Sequence, residues 1–126
     1  MIGVAGGRVQ GVERGPGGWL FIRIGPAPPE SRCEMPLGEQ VWSLLAKHFM
    51  NRVVLEWQDV AQLSMAEAEE LSQLKRRVED HDGILRLCGL SDACLTTIEQ
   101  CGLAPKLAHY GSREEAVMAN RPNQPR

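Results

Sequence analysis

Long apolar runs are missing from this chain of 126 residues. No segment approaches the roughly 18 uninterrupted apolar residues that a membrane-spanning helix needs. The first residues, MIGVAGGRVQG, form neither the basic leader nor the apolar segment of a secretory signal. A composition of 43% apolar and 24% charged residues is ordinary for a soluble globular protein. We therefore expect a cytoplasmic protein with a single domain at residues 1–119 and a flexible polar tail at residues 120–126.

Excess charge and metal-binding patterns are missing as well. The formal net charge is -2, whereas a domain that binds nucleic acid usually has a clear basic excess, so nucleic acid is not an expected partner. The cysteines form no C-x-x-C pair and have no histidine at zinc-ligand spacing. The cysteines are Cys33, Cys88, Cys94 and Cys101, and we favour core thiols over a metal site. Cys88, Cys94 and Cys101 fall among apolar residues of a predicted strand and helix, where free cysteine acts as a small apolar residue.

Signatures of catalysis and nucleotide binding are also absent from the sequence. The N-terminal GVAGGR lacks the G-K-[ST] of a phosphate-binding loop and the spacing of a dinucleotide fingerprint. His48, His81 and His109 fall on a predicted helix, a turn and a strand, and belong to no nucleophile or metal motif. The sequence therefore favours a non-enzymatic protein without a cofactor.

The periodicity of apolar residues predicts strands that alternate with helices. Two β-like runs, Arg8 to Arg14 and Trp19 to Ile24, flank the glycine-rich GPGG and form a hairpin, which a proline-rich loop, GPAPPES, follows. Strands joined by helices form parallel, right-handed crossovers, so the predicted fold class is α/β. The later elements are a helix from Leu37 to about Asn51, a strand at Arg52 to Trp57, a helix from Met65, a strand at Ile84 to Cys88, a helix ending near Cys101, a strand KLAHY and a helix REEAVMA.

A serine stands directly before the second predicted helix, in the segment QLSMAEAEELSQL. Ser64 and Glu67 have the S-x-x-E spacing of a capping box, in which each side chain accepts a hydrogen bond from the other residue's backbone N–H. The same spacing recurs at Ser112 and Glu115, and Ser91 precedes the third helix. Because a helix N-terminus also favours a phosphate, Ser64 is alternatively a phosphoacceptor. We prefer the capping role, since it explains every residue in the segment.

From Val53 to Ala119 the chain resembles the STAS domain of bacterial anti-sigma factor antagonists. The resemblance rests on VVLEWQDV, the helix from Met65, GILRLCGLSDACLTTIEQCGL and YGSREEAV. It implies a STAS-like mixed β-sheet of four to five strands with about four α-helices. In the antagonists, a motif similar to Asp-Ser-Ser-Gly follows the central strand, and a partner kinase that is also the anti-sigma factor phosphorylates its second serine. The corresponding residues here are Ser64, Met65, Ala66 and Glu67, so Ala66 occupies the acceptor position without a hydroxyl.

The resemblance implies a function in bacterial signalling and transcription regulation through protein contacts. The expected partner is an anti-sigma factor or a related kinase-like ATPase, and its binding would be constitutive or controlled elsewhere. The sequence leaves open whether Met65 is exposed or faces the core. The alternative is a STAS-like scaffold or ligand-binding component of a stress-signalling or lipid-transport assembly, because fold alone does not choose among these roles. The expected binding surface, called the recognition surface below, comprises Asp59, Ser64, Met65, Ala66, Glu67, Glu70, Gly89, Leu90 and Ser91.

Overall fold

A computed structural model describes residues 9–25, 37–103, 107 and 109–118. The element types follow the predicted order. Most of the GPAPPES loop, Cys33, the GVAGGR segment and residues 119–126 lie outside the described residues. The elements are β1 (Val9–Arg14), a 3-10 turn (Pro16–Gly18), β2 (Trp19–Ile24), α1 (Leu37–His48), β3 (Arg52–Glu56), α2 (Met65–Asp80), β4 (Ile84–Cys88), α3 (Asp92–Gln100), β5 (His109–Tyr110) and α4 (Arg113–Met118).

The five strands form one sheet in the order β1-β2-β3-β4-β5. β1 runs antiparallel to β2, and each later strand runs parallel to the one before it. Gly17 and Gly18 make the reversal between β1 and β2, because both adopt left-handed φ angles, 75° and 80°, that side chains disfavour. The predicted α/β class, and the mixed sheet with about four helices that the STAS resemblance implies, are confirmed.

The parallel strands give the sheet two different ends. The carboxyl ends of β2 to β5 lie at one edge, here called the carboxyl edge, where α2 and α3 begin. α1 and α2 both end at the opposite edge, the amino edge, because each helix returns the chain to the start of the next parallel strand. Loops that follow neighbouring strands therefore meet at the carboxyl edge.

Helices cover both faces of the sheet. The face opposite α4 carries the larger core, in which Leu20, Val53 and Leu55 of the strands are fully buried. On the other face, Ala116 of α4 belongs to a smaller buried cluster together with Val54 and Cys88. The helical residues in the larger core are Leu37, Val41 and Leu45 of α1, Ala68, Leu71, Leu74 and Val78 of α2, and Cys94 and Ile98 of α3.

α1 ends three residues earlier than the predicted stop at Asn51. Its last turn closes through two backbone hydrogen bonds, from the N–H of Phe49 to the carbonyl of Ala46 at 3.2 Å and from the N–H of Met50 to the carbonyl of Leu45 at 3.0 Å. This is the Schellman arrangement, in which the residue after the helix adopts a left-handed conformation. Phe49 has that conformation, with a φ angle of 54°, and its side chain is 94% exposed. Neither the backbone nor the core requires a phenylalanine there.

Replacing Phe49 with glycine is expected to stabilise the fold. A left-handed φ angle costs a residue with a Cβ about 1–2 kcal/mol, and part of the gain is lost to the greater freedom of glycine in the unfolded chain. We expect Phe49→Gly to raise the free energy of unfolding by roughly 0.5–1 kcal/mol, measured by urea denaturation at low protein concentration. Phe49→Ala is the control, because it removes the ring and keeps the Cβ. Equal stabilities of the two variants would contradict the strain assigned to Phe49.

Candidate functional site

The segments after β3 and β4 lie side by side at the carboxyl edge. The N–H of Trp57 donates to the carbonyl of Cys88 at 2.9 Å, which extends the pairing of the two strands by one residue. Beyond it, the hydroxyl of Ser91 donates to the carbonyl of Ala61 at 2.9 Å. Gly89 has a left-handed φ angle of 74°, and a Cβ there would lie 2.8 Å from the side chain of Gln58. The two segments therefore form one continuous surface.

The start of α2 is fixed by the predicted capping box. The N–H of Glu67 donates to the Ser64 hydroxyl at 3.1 Å, and the N–H of Ser64 donates to the Glu67 carboxylate at 3.0 Å. The capping role of Ser64 is confirmed, whereas a phosphate on Ser64 stays an untested alternative. A phosphate there would convert the hydroxyl that accepts from the Glu67 N–H into a phosphoester.

Serine also caps α3 and α4, and it does so in different ways. Ser91 caps α3 by accepting from the N–H of Cys94 at 3.2 Å. Ser112 accepts from the N–H of Glu115 at 3.3 Å, as its spacing predicts. The reciprocal bond differs from the predicted one, because the Glu115 carboxylate accepts from the N–H of Gly111 at 3.2 Å. The S-x-x-E spacing thus predicted that Ser112 caps α4. It did not predict that the N–H of Gly111, rather than that of Ser112, donates to the Glu115 carboxylate.

The residues of the recognition surface differ in exposure. Met65 is 58% exposed, so it does not face the core, and Ala66 beside it is also exposed. The Asp59 side chain is 47% exposed and lies 4.0 Å from Arg23 Nε. Glu70 lies farther along α2, and its carboxylate accepts from the N–H of Gly38 at 3.3 Å, which joins α2 to the start of α1. Glu67, Gly89, Leu90 and Ser91 are half-buried.

An ion pair between a buried glutamate and a half-buried arginine lies directly behind this surface. Glu56, the last residue of β3, is 2% exposed, and Arg113 Nε at the start of α4 donates to its carboxylate at 2.5 Å. The same guanidinium donates to Glu13 of β1 at 3.0 Å and lies 4.4 Å from the ring centre of Phe21. The hydrogen bond to Glu56 raises the pKa of Arg113 above its usual range. Sequence reasoning missed this pair, because its only sequence signal was one glutamate in the apolar run RVVLEW.

Burial shifts the pKa values of one cysteine and one histidine at this edge. Burial raises the pKa of the Cys88 thiol to about 12, and the nearby Glu56 charge acts in the same direction. A thiol of that pKa is not a nucleophile near neutral pH. Burial lowers the pKa of His109 below its usual value. Within the described ranges, no group of three or more histidine, cysteine, aspartate or glutamate residues could hold a metal ion.

The comparisons with known proteins agree with this geometry. A model of the STAS domain family matches residues 30–116, and the chain belongs to the STAS domain family. A comparison with curated protein sequences gives no match. None of the helices in the described part of the chain is long and apolar enough to cross a membrane.

Three solved structures share the fold. RsbS from Moorella thermoacetica, in a serine-to-glutamate variant, has a TM-score of 0.70 at 14% identity, over 87% of this chain and 92% of that one. The NMR structure of the protein TM1081 has a TM-score of 0.69 at 10% identity, over 86% and 85%. The anti-sigma factor antagonist SpoIIAA in its unphosphorylated form has a TM-score of 0.63 at 16% identity, over 86% and 92%. At identities of 10–16%, these likenesses show a shared fold.

Loss of the Ser64 hydroxyl is expected to destabilise the start of α2. Ser64→Ala removes the acceptor for the Glu67 N–H, and the loss of an N-cap typically costs about 1 kcal/mol. The free energy of unfolding from urea denaturation measures the effect. Ser72→Ala, in the interior of the same helix, is the control and should cost nothing, because alanine is the better helix former. A cost for Ser64→Ala no larger than that for Ser72→Ala would argue against the cap.

Proposed function

We propose that the chain is a non-enzymatic interaction module that binds a regulatory partner through the recognition surface. By resemblance, the partner is an anti-sigma factor or a related protein with a kinase-like ATPase domain. We further propose that phosphorylation at the position of Ala66 does not control this binding, because alanine has no hydroxyl to modify.

The exposure of Met65 and Ala66 is the observation that carries the proposal. Both side chains lie at the first turn of α2, next to the turn that begins α3, and neither contributes to a core. Methionine is flexible and polarisable, which suits an adaptable apolar contact. Ser64 and Ser91 hold the backbone around them through hydrogen bonds, so the surface is preformed. A preformed contact loses little conformational freedom when a partner binds.

The charges of the recognition surface favour a basic partner. Asp59, Glu67 and Glu70 are its ionisable members, and all of them are acidic. Complementary charge on the partner would mainly raise the association rate, and salt would screen this effect. Glu67 and Glu70 accept hydrogen bonds within the chain, whereas Asp59 is 47% exposed and has Arg23 only at 4.0 Å, so Asp59 is the carboxylate best placed for a partner.

The regulatory difference from the antagonists lies at one position. The structural relatives include SpoIIAA in an unphosphorylated form and an RsbS variant in which glutamate replaces serine. In the family that the chain resembles, a phosphate at this position weakens partner binding, because it adds charge to an interface built without it. With alanine at position 66, the surface would stay in the binding form unless another process controls it.

A negative charge at position 66 is expected to weaken partner binding. Ala66→Glu should bind the host's kinase-like anti-sigma factor at least about tenfold more weakly in calorimetry, since the charge enters the interface. The variant should stay folded, because the first turn of a helix favours an acidic side chain. Gln73→Glu is the matched control, since it adds the same charge to an exposed position two turns farther along α2. Equal affinities of the wild-type protein and Ala66→Glu would contradict the proposed surface.

A hydroxyl at position 66 is expected to restore phosphorylation. After incubation with the same anti-sigma kinase and ATP, the intact mass of the wild-type protein should not change. Ala66→Ser should gain one phosphate, because the serine would stand at the acceptor position that the resemblance assigns. A phosphate on wild-type Ser64 would contradict the assignment of Ser64 as a cap only.

A further inference from the structure

A second surface with unusual features lies at the amino edge, away from the recognition surface. α1 and α2 end there side by side, and a cavity of about 340 Å³ opens between their last turns. Apolar side chains form most of its wall. The lining residues are Trp42, Leu45, Ala46, Phe49, Met50, Asn51, Val78 and His81, and we refer to this cavity as the amino-edge groove.

Phe49 projects from the rim of the amino-edge groove at a cost to the fold. It is 94% exposed and has a left-handed φ angle of 54°. Among the described residues, the other non-glycine residue with a positive φ angle is Asp82, at 61°, in the turn that follows α2 beside the same groove. Strained backbone that the core does not require is concentrated at binding sites. An exposed aromatic ring on a strained backbone therefore points to a contact outside the chain.

The walls of the amino-edge groove are held in place by contacts within the chain. The Arg77 guanidinium lies 4.3 Å from the ring centre of Trp42, whose ring is 4.9 Å from that of His81 in an edge-to-face arrangement. Asn51 Nδ2 donates to the carbonyls of His81 and Asp82 at 3.3 and 3.2 Å. The groove thus exists before any partner arrives. A cavity of about 150 Å³ accepts a benzene molecule, so this groove is large enough for a phenyl ring.

We propose that the amino-edge groove is a self-association site, in which Phe49 of one copy of the chain enters the groove of a second copy. The projecting ring and the cavity that fits a ring lie next to each other on one chain. A twofold axis between two copies would bring each ring opposite the other copy's cavity, which is the self-complementary arrangement of a symmetric dimer.

The charges around the amino-edge groove select a second copy over an unrelated partner. Lys47 lies in the last turn of α1, whereas Asp80 and Asp82 lie at the end of α2 and just after it. Arg77, also in the last turn of α2, is paired with Glu39 at 2.8 Å and stacks on Trp42. The surface therefore has a basic side and an acidic side. Rotation about a twofold axis between the two helix ends places the basic side of each copy opposite the acidic side of the other. An unrelated partner would have to reproduce both charges and the ring together.

Sedimentation equilibrium tests the proposal. The wild-type protein should show a reversible monomer–dimer equilibrium between about 1 µM and 1 mM. Phe49→Gly should weaken dimerisation at least about tenfold, although its thermal midpoint should be equal to or higher than that of the wild type. If Phe49→Gly loses association but keeps its stability, Phe49 acts in the contact between copies and not in folding. Met118→Ser is the control, because Met118 is 80% exposed on α4 and should not affect dimerisation.

A mixture of two variants tests the geometry. Ala46→Glu keeps Phe49 and places a charged side chain in the groove, whereas Phe49→Gly lacks the ring and keeps the other lining residues of the groove. Each variant alone should stay monomeric, and an equimolar mixture should recover association, because one ring and one groove can then meet. A wild-type protein that stays monomeric at the highest concentration, a Phe49→Gly dimer as tight as the wild type, or a mixture no more associated than its components would overturn the proposal. Met65→Ser, which changes the recognition surface alone, should dimerise normally whether or not that surface binds a partner.

Discussion

The parallel pairing of β3 with β4 is the constraint on which the recognition surface depends. Glu56 lies opposite Cys88 in the register, and the hydrogen bond from Trp57 to Cys88 carries the pairing one residue beyond β3. Without this register, the start of α2 and the turn before α3 would not be neighbours. Parallel strands need a crossover between them, so α2 is both the connection that permits the pairing and the element that presents Met65 and Ala66.

The Glu56–Arg113 pair supports the same edge from the opposite face of the sheet. A carboxylate that is 2% exposed is costly to bury unless a cation and hydrogen bonds compensate for its lost hydration. Arg113 supplies both, and it joins the end of β3 to α4 and, through Glu13, to β1. Removal of Arg113 would leave the buried Glu56 carboxylate with Arg23, at 3.9 Å, as its remaining cation among the described residues. The pair therefore couples the position of α4 to the backbone that leads into the recognition surface.

Local signals in the sequence predicted much of the fold, and long-range contacts limited the prediction. The α2 face formed by Ala68, Leu71, Leu74 and Val78 follows from helical periodicity, and the Ser64 cap follows from one spacing of three residues. The Glu56–Arg113 pair joins residues 57 positions apart, and no local pattern encodes such a contact.

Residue types alone do not determine the end of α1 or the exposure of Met65. Asn51 predicts the end of α1, because asparagine commonly ends helices, whereas α1 ends at His48 and Phe49 adopts the left-handed conformation that glycine usually adopts. The exposure of Met65 was equally undecided. About half a turn of rotation around the axis of α2 separates an outward from an inward methionine, and the packing of the whole helix decides between them. The resemblance supplied the candidate site, while exposure and hydrogen bonding came from the structure.

The positions of the two surfaces at opposite edges have a consequence for assembly. β3 spans five residues, so its length separates the edges by about 16 Å. A protein docked at the carboxyl edge would leave the groove at the amino edge uncovered. Two chains joined through their amino edges would point their recognition surfaces outward, and such a pair could engage two sites on a clustered target at once. Its avidity would then exceed the affinity of either site, without any additional contact.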